Sequence, residues 1–443
     1  MLLRYTVSNF KSIGHPIGFT LFPTNKNIDE RFLRTLTTKA GKWKVLQRSG
    51  FFGPNASGKS SFIESVAFAR NYIVDGQRSG KGTGVDQFRG DLEDLNKITT
   101  FQFLFYLEEE VYEYGFSLDT KQVYDEWLQQ LGANDFVPLF IRRTDETGKT
   151  VIDVKNKFAN RNTHSRTLAE LLKISIQKNQ KNQLYLYKLY ENGLKKAEKI
   201  VGWFKRLQII FPETEVQALP IHMKFDDDLR QYIEKMLARL DTGVFKITVA
   251  SDEIDFHEFA RKMDLPKDVI NDVEEIKRGI VNLNGKYFIF LENKNKRTIL
   301  IQLKFNHHLN NKDVQFNIEE ESDGTQRLID LLPMLFMSGK MPGVYFIDEI
   351  DRSLHTKLSQ FLLNEFVRNA KNAESQIFFT AHDVNLLNLQ EFRQDEIWFI
   401  EKNQKGETIL RPFSDFEVKE GQDPLKAYLN GRFGAIPVIR GVD

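Results

Sequence analysis

The segment from Gly53 to Ser60 has the composition and spacing of a loop that binds phosphate. It reads Gly-Pro-Asn-Ala-Ser-Gly-Lys-Ser and matches the pattern G-x-x-x-x-G-K-[ST] in full. Glycines in this pattern let backbone amides turn onto phosphate oxygens, and the following helix N-terminus adds positive potential. We expect Lys59 to reach the β- and γ-phosphates of a nucleotide and Ser60 to ligate Mg²⁺. The predicted nucleotide-binding residues of this loop are Gly53, Pro54, Asn55, Ala56, Ser57, Gly58, Lys59, Ser60 and Ser61.

Two acidic residues end an apolar run far along the chain. Val344-Tyr-Phe-Ile precedes Asp348 and Glu349, and such short apolar runs are typical of strands buried on both faces. We expect Asp348 to hold Mg²⁺ and Glu349 to polarise an attacking water as general base. A strand that ends in two acids also occurs by chance, so its meaning depends on the motifs around it.

Two more motifs lie on either side of these acids in the chain. The segment Glu321–Gln326 combines a serine hydroxyl, a glycine and the start of a predicted helix, which together can receive a γ-phosphate. His382 follows another apolar run and can sense the γ-phosphate. A Ser-Asp-Gly turn and a lone histidine are each common, but their order and spacing with the other motifs favour the functional interpretation. The predicted signature residues are Ser322, Asp323, Gly324 and Thr325, and the predicted catalytic residues are Glu349, His382 and Lys59.

The hydrophobic pattern predicts the elements that must hold these motifs. An apolar strand is expected over Val45–Phe52 before the loop, and a helix over Ser60–Tyr72 after it. Buried strands are expected later in the chain, over Gly343–Ile347, Gln376–Thr380 and Glu396–Ile400. Between these two groups, leucine and isoleucine residues fall at helical spacing, which predicts a helical insertion.

Composition excludes several classes of site. The net charge is +1, which argues against a dedicated nucleic-acid coat. Cysteine is absent, so disulfides, thiolate zinc sites and a cysteine nucleophile are excluded. No segment approaches the roughly 20 apolar residues of a spanning helix, and no signal peptide is recognisable at Met1. We therefore expect a soluble, cytoplasmic protein with no membrane partner.

Taken together, the motifs resemble the head of ABC-type ATPases. The signature, the two acids, a D-loop-like segment Ile350–His355 and a switch histidine occur in the order found there. More than half of the chain separates Lys59 from Ser322, which resembles the SMC, RecF and OLD branch, where an insertion splits the head. The opening segment Asn9–Ser12 is similar to the Asn-Phe-Lys/Arg-Ser of that branch. By this resemblance Asn9, Phe10 and Lys11 also belong to the nucleotide site.

The finer resemblance is to OLD-like AAA ATPases of bacterial anti-phage and abortive-infection operons, and it covers nearly the whole chain. The segments that carry it are Glu320–Arg327, Asp348–His355, Phe379–Asp383 and Tyr428–Pro437. The signature departs from the Leu-Ser-Gly-Gly-Gln pattern, because Asp323 stands where the glycine after the serine would be. The Q-loop glutamine stays open, with Gln87 and Gln102 as candidates.

The resemblance implies an α/β fold, an ABC/SMC-type P-loop ATPase head with a mixed sheet and an antiparallel β lobe, split by the helical insertion. Changes in composition and hydrophobic pattern along the chain predict three domains. These are an N-terminal ATPase lobe with the phosphate loop over 1–155, the helical insertion over 156–280, and a C-terminal ATPase lobe with the signature, the acids and His382 over 281–443.

The same resemblance implies an enzyme that hydrolyses ATP to ADP and phosphate, with ATP and Mg²⁺ as cofactors. It implies a homodimer or higher homo-oligomer that acts as the sensor or scaffold of an anti-phage system. The residues after His382 are too few for a Toprim domain, so the implied effector is a separate protein such as a Toprim nuclease. A phage protein is the implied trigger.

Two alternatives remain open. The first is a RecF- or SMC-like DNA-repair ATPase that clamps DNA, and the sequence leaves DNA binding undecided. Its candidate phosphate contacts are Arg142, Arg143, Lys195, Lys196 and Lys199, although charge runs are usually solvated faces. The second is a scaffold in which ATP is mainly structural. Turnover measured with and without DNA would separate the first from the others.

Overall fold

A computed structural model describes most of the chain. The described residues are 1–24, 33–90, 98–145, 147–155, 163–216, 218–274, 279–283, 286–290, 298–389, 391–416, 426 and 428. The segment Tyr428–Pro437, which contributes to the resemblance, lies outside these residues apart from Tyr428. Within the described part, no helix has the length and apolar character needed to cross a membrane.

The described part of the chain contains both strands and helices, and several strands often follow one another directly. The strands are β1 Leu2–Ser8, β2 Ile17–Thr20, β3 Leu33–Thr38, β4 Gly41–Leu46, β5 Arg48–Phe52, β6 Thr99–Leu107, β7 Glu110–Leu118, β8 Val123–Leu131, β9 Phe136–Thr144, β10 Thr150–Val154, β11 Leu207–Ile210, β12 Val244–Ile254, β13 Gly279–Leu283, β14 Lys286–Phe290, β15 Thr298–Leu309, β16 Lys312–Phe316, β17 Val344–Ile347, β18 Gln376–Ala381, β19 Ile397–Lys402 and β20 Thr408–Pro412. The α-helices are α1 Lys59–Val74, α2 Thr163–Asn179, α3 Tyr185–Glu191, α4 Lys195–Lys205, α5 Leu219–Phe225, α6 Asp227–Arg239, α7 Phe256–Lys262, α8 Lys267–Glu274, α9 Asp323–Ser338 and α10 Thr356–Asn369.

Two compact units divide the chain. Unit 1 comprises Met1–Pro212, Ser338–Asp351 and Ser359–Asp443, and unit 2 comprises Glu213–Met337 and Arg352–Leu358. Unit 1 is therefore assembled from segments near both ends of the chain.

The central sheet of unit 1 has the strand order β11-β17-β18-β5-β19-β20. Its strands are parallel except for β20, which pairs antiparallel with β19. Strands β5, β17 and β18 are buried along their whole length, as expected for apolar strands covered on both faces. Because these three strands are adjacent and parallel, the loops that follow them meet at one edge of the sheet.

A second sheet of unit 1 is antiparallel, in the order β10-β9-β8-β7-β6-β1-β2. Aromatic rings join the two sheets to helix α1. The ring centroid of Phe19 in β2 lies 5.2 Å from that of Phe51 in β5 and 5.8 Å from that of Phe62 in α1. Such edge-to-face pairs stabilise a core beyond the area that they bury. The helix that begins at Lys59 is thereby fixed against both sheets.

The mixed sheet and the antiparallel lobe confirm the predicted α/β fold class. The predicted strand Val45–Phe52 is wrong in one respect, because it divides at Gln47 into β4 and β5. Strand β4 pairs with β3, whereas β5 lies between β18 and β19. One apolar run therefore serves two different sheets, and its two halves cannot form one straight strand.

Unit 2 is built on an antiparallel sheet in the order β12-β15-β14-β13, with β16 pairing the end of β15. Phe256 of α7 packs on this sheet through Phe288. The boundaries of these units do not coincide with those of the predicted three-part division. Helices α2 to α4 belong to unit 1, since residues such as Phe204 join its core. Strand β12 lies inside the predicted helical insertion, and the signature belongs to unit 2.

Candidate nucleotide-binding site

The loop Gly53–Ser60 connects β5 to α1, as the sequence predicts. Two of its residues have positive φ, with values of 61° at Ala56 and 106° at Gly58. A Cβ at Gly58 would lie 2.0 Å from Thr408 Oγ1, and one at Gly53 would lie 2.0 Å from the carbonyl oxygen of Ile400. Glycine is required at both positions, because no side chain fits against the hairpin β19–β20.

Thr408 of β20 ties the loop to the N-terminal segment. Its hydroxyl donates to the carbonyl oxygen of Ser57 at 3.0 Å and lies 2.8 Å from Ser12 Oγ. Its amide donates to the carbonyl oxygen of Ser12 at 2.8 Å. Thr408 is buried, so these contacts are shielded from water and hold the loop in shape. Sequence reasoning missed this residue, since it lies in no recognisable motif.

The segment Asn9–Ser12 lies beside the loop. Asn9 and Lys11 have φ values of 52° and 48°, and Lys11 Nζ lies 2.7 Å from Glu64 Oε1. The Phe10 side chain is 2% exposed and packs on Phe68 and Phe101. Phe10 therefore supports this segment from the core, and its ring does not face solvent.

Asp348 lies at the end of β17, where its carboxylate meets two hydroxyls. Thr380 Oγ1 of the adjacent strand β18 donates to Asp348 Oδ1 at 2.5 Å, and Ser60 also bonds to the carboxylate. Burial raises the pKa of Asp348, while the hydrogen bonds from Thr380 and Ser60 act in the opposite direction. Thr380 also accepts from the backbone amide of Glu349 at 2.8 Å.

A hydrogen-bonded chain crosses the mouth of the loop. Lys59 Nζ donates to the carbonyl oxygens of Gly53 and Pro54 at 2.7 and 3.0 Å, and it lies 3.3 Å from His382 Nδ1. His382 Nε2 lies 3.1 Å from Glu349 Oε1. Because a protonated lysine only donates, this order suits a neutral imidazole that carries its proton on Nε2. Burial lowers the pKa of Lys59 to about 8, against the raising effect of the nearby carboxylates.

Glu349 and Asp351 help to fix the series of hydrogen bonds that joins Lys59, His382 and Glu349. Glu349 has a φ of 50°, a strained value for a residue with a side chain and one that often marks functional sites. Asp351 Oδ2 accepts from the amides of His382 and Asp383 at 2.8 and 2.5 Å. These contacts set the position of the imidazole. The sequence placed Asp351 in a D-loop-like segment but assigned it no contact.

Most of the predicted loop residues, together with Glu349 and His382, line one cleft of about 430 Å³, whereas Asn9, Phe10, Gly53, Pro54 and Asp348 are not among its lining residues. Its lining comprises Ser12, Asn55, Ala56, Ser57, Gly58, Lys59, Ser60, Ser61, Glu349 and His382. A second cleft shares Ser12 and Ser61 and is also lined by Lys11, Phe88 and Arg89. Of the two candidate Q-loop residues, Gln87 lies in the sequence between Asp86 and Phe88, which line this second cleft, and Gln102 lies within β6.

The residues fit a magnesium ion. One hydroxyl and one carboxylate oxygen, from Ser60 and Asp348, are the hard ligands that Mg²⁺ prefers alongside phosphate oxygens and water. Among the described residues there is no group of three or more His, Asp or Glu side chains that could hold a metal alone.

The signature residues lie in unit 2, at the start of α9. Ser322 Oγ accepts from the Thr325 amide at 3.2 Å and lies 2.9 Å from Thr325 Oγ1, so it caps the helix. A Cβ at Gly324 would lie 2.9 Å from the carbonyl oxygen of Ser353. Asp323 is the first residue of the helix, where a negative charge is favourable.

Comparisons with known proteins gave one family match and several similar solved structures. A family profile with the description "AAA domain, putative AbiEii toxin, Type IV TA system" matches residues 49–388. The SMC head domain from Thermotoga maritima is 11% identical, with a TM-score of 0.37 over 94% of this chain and 99% of that chain. The SmcHead bound to the C-winged helix domain of ScpA is 12% identical, with a TM-score of 0.39 over 93% and 96%. No match was found among proteins with curated descriptions.

Proposed function

The chain belongs to the family described as "AAA domain, putative AbiEii toxin, Type IV TA system", and from this premise we propose that it binds Mg-ATP and hydrolyses it. The observation that carries the proposal is the series of hydrogen bonds from Lys59 through His382 to Glu349, which crosses the mouth of the phosphate loop. A cation, a proton carrier and a carboxylate are thereby held where a γ-phosphate and its attacking water would lie.

Lys59 is the proposed phosphate ligand. Its ammonium group now bonds two loop carbonyls and His382, which are weaker partners than phosphate oxygens. Asp348 and Ser60 are the proposed protein ligands of Mg²⁺, which supplies charge neutralisation at the β- and γ-phosphates when it is bound. The second cleft, which Lys11 and Phe88 help to line, is the proposed place for the base and ribose.

Glu349 is the proposed general base. Its carboxylate accepts a hydrogen bond from His382 and its backbone amide donates to Thr380, so both the side chain and the backbone of the residue are held in place. Such preorganisation is what makes a positioned base effective. His382 is the proposed γ-phosphate sensor, because it touches both the base and Lys59.

We further propose that hydrolysis takes place between two copies of the chain. Ser322 and Gly324 would act on the nucleotide of a second copy, as the resemblance to ABC-type heads implies. Support comes from the start of α9, where a 16-residue helix presents its N-terminus beside a serine and a glycine. A helix N-terminus of this kind attracts phosphate.

In the cell, the proposed role is the sensor or scaffold of an anti-phage system that controls a separate effector, such as a Toprim nuclease, in response to a phage protein. The family description, which mentions a toxin of a type IV toxin–antitoxin system, supports a role in such conflicts. The DNA-clamping alternative loses one of its candidate contacts. Arg142 is fully buried and donates to the carbonyl oxygens of Gln183 and Lys181 at 2.6 and 2.8 Å.

Phosphate release and nucleotide binding test the proposal directly. Lys59→Ala should remove most ATP affinity in calorimetry. Glu349→Gln should bind ATP normally and lose about 10²- to 10⁴-fold in turnover. Glu170→Gln, which changes an exposed glutamate of α2, is the matched control and should behave as wild type. ATP affinity that Lys59→Ala leaves unchanged would overturn the assignment of the loop.

A further inference from the structure

We propose that His307 is a positioning residue for the signature, acting through a hydrogen bond to the Glu321 carboxylate. The inference rests on the proposed function, in which Ser322 and Gly324 contact the nucleotide of a second copy. It extends that function to a residue of the unit 2 sheet that lies outside every nucleotide-binding motif.

The pair is close and sheltered. His307 Nε2 lies 2.7 Å from Glu321 Oε1, and the two side chains are 16% and 4% exposed. The imidazole also packs edge-on against Phe316, with ring centroids 5.0 Å apart. A Cβ at Gly243, which has a φ of 81°, would lie 3.0 Å from His307 Nδ1. The ring therefore has little freedom to move away from its partner.

Glu321 stands directly before the signature, and its backbone takes part in the first turn of α9. The Glu321 carbonyl oxygen accepts from Gln326 Nε2 at 2.9 Å. The next carbonyl, of Ser322, accepts from the Gln326 amide at 2.9 Å. A shift of Glu321 would therefore displace the serine that caps the helix and the amides that follow it.

The strand that carries His307 holds the approach to the signature at a second point. Lys304 Nζ, also on β15, donates to Asn317 Oδ1 at 2.6 Å. Strand β15 pairs along most of its length with β12, so it is a stable support. The segment 317–321 is thus fastened to the sheet at both ends, and His307 holds the end that adjoins Ser322.

Removing the histidine leaves the Glu321 carboxylate buried without its partner. An uncompensated buried charge is strongly unfavourable, and the segment relieves it by moving toward water. The P-loop, Asp348 and Glu349 belong to unit 1 and keep their own contacts. The loss should therefore fall on steps that need the signature and spare nucleotide binding by one copy.

The neighbouring residue supplies a matched control. His308 Nδ1 lies 2.6 Å from Asp313 Oδ1, and both of these side chains are 65% exposed. His308→Ala removes a histidine–carboxylate pair from the same strand without touching the signature segment. Exposed pairs of this kind contribute little, so His308→Ala should match wild type.

The experiment measures ATP affinity, turnover and ATP-dependent dimerisation for both variants. His307→Ala should bind ATP within about 2-fold of wild type and lose roughly 10-fold in kcat, as is typical when an orienting partner is removed. In a Glu349→Gln background it should also weaken the ATP-dependent dimer in light scattering. His307→Gln, which keeps a side-chain donor, should retain most of the wild-type kcat and most of the ATP-dependent dimerisation. The double variant with Glu321→Ala should be no worse than the worse single variant, since both act through one contact.

Three results would overturn the inference. These are kcat and dimerisation of His307→Ala equal to those of His308→Ala, additive losses in the double variant, or a His307→Gln variant as impaired as His307→Ala. The glutamine comparison decides the matter if the alanine variant folds poorly. Ser322→Arg separates the two proposals. If it leaves dimerisation and turnover intact, the proposed function fails; if it blocks them while His307→Ala does not, only this inference fails.

Discussion

Replacing Lys59 by methionine should stabilise the folded chain at neutral pH while it abolishes ATP binding. The ammonium group is buried at the mouth of the phosphate loop, and this burial lowers the pKa of Lys59 from its ordinary value of 10.5 to about 8. A charge that the fold disfavours is a stability cost that the site carries for its function. Methionine has a similar length and no charge, so it removes that cost.

The magnitude follows from the two pKa values. Below about pH 8 the lysine is charged in both states, and the folded state is disfavoured by about 3 kcal/mol. Between about pH 8 and 10.5 the folded state loses its proton while the unfolded chain keeps it, so the cost shrinks and then disappears. About 2 kcal/mol should be recovered between roughly pH 7 and 9.5.

The assay compares denaturant unfolding of wild type and Lys59→Met at about pH 7 and 9.5. Methionine has no group that titrates in this range, so the change in the stability difference between the two pH values reports the titration of Lys59. Lys199→Met, at a lysine with a 58% exposed side chain, is the control and should show no such change. A stability difference for Lys59→Met that is constant across this pH range would refute the reasoning.

Other variants test the remaining contacts. Thr380→Val removes the hydroxyl that donates to Asp348. Hydrogen bonds to charged groups contribute about 1.5–3 kcal/mol, so kcat should fall roughly 10- to 100-fold while ATP affinity is kept. An unchanged kcat in phosphate-release assays would contradict a role for this hydrogen bond. Gly58→Ala should abolish ATP binding in calorimetry. The residue has a φ of 106°, and its added Cβ would lie 2.0 Å from the buried hydroxyl of Thr408. Tight binding would show that the loop can rearrange. Inactive Lys59→Ala and Ser322→Arg chains, when mixed, should form one competent site per mixed dimer and recover phosphate release; a full rate from an obligate monomer would reject the two-copy site.

The motifs at the ends of buried strands could be predicted from the sequence, because the signals there are local. The helix predicted over Ser60–Tyr72 is observed as Lys59–Val74, and the strand predicted over Gln376–Thr380 as Gln376–Ala381. A continuous apolar run, a glycine-rich turn and a helical period each depend on a few neighbouring residues. Adjacent parallel strands then bring Lys59, Asp348 and His382 to the same edge of the sheet.

The contacts that join these motifs could not be predicted, because each depends on which strands become neighbours. Thr380 is a polar residue inside a fully buried strand, and this was the one signal that could have identified it. Thr408 gives no such signal, since only the pairing of β20 with β19 brings it to the loop. From sequence alone, the helices over 163–205 appear as part of an insertion. Sequence cannot show that the ring of Phe204 packs against that of Phe103, with the ring centroids 5.1 Å apart.

The position of β5 has a consequence for how the protein is made. This strand leads into the phosphate loop, yet its two neighbours in the sheet, β18 and β19, lie more than 300 residues later in the chain. A ribosome therefore exposes the loop long before it supplies the strands that flank it and the threonine that braces it. Synthesis proceeds at about 5–20 residues per second, so β5 remains without these partners for tens of seconds. During that time the apolar strand lacks the neighbours that bury it in the folded protein, and the phosphate site forms only when translation has passed residue 408.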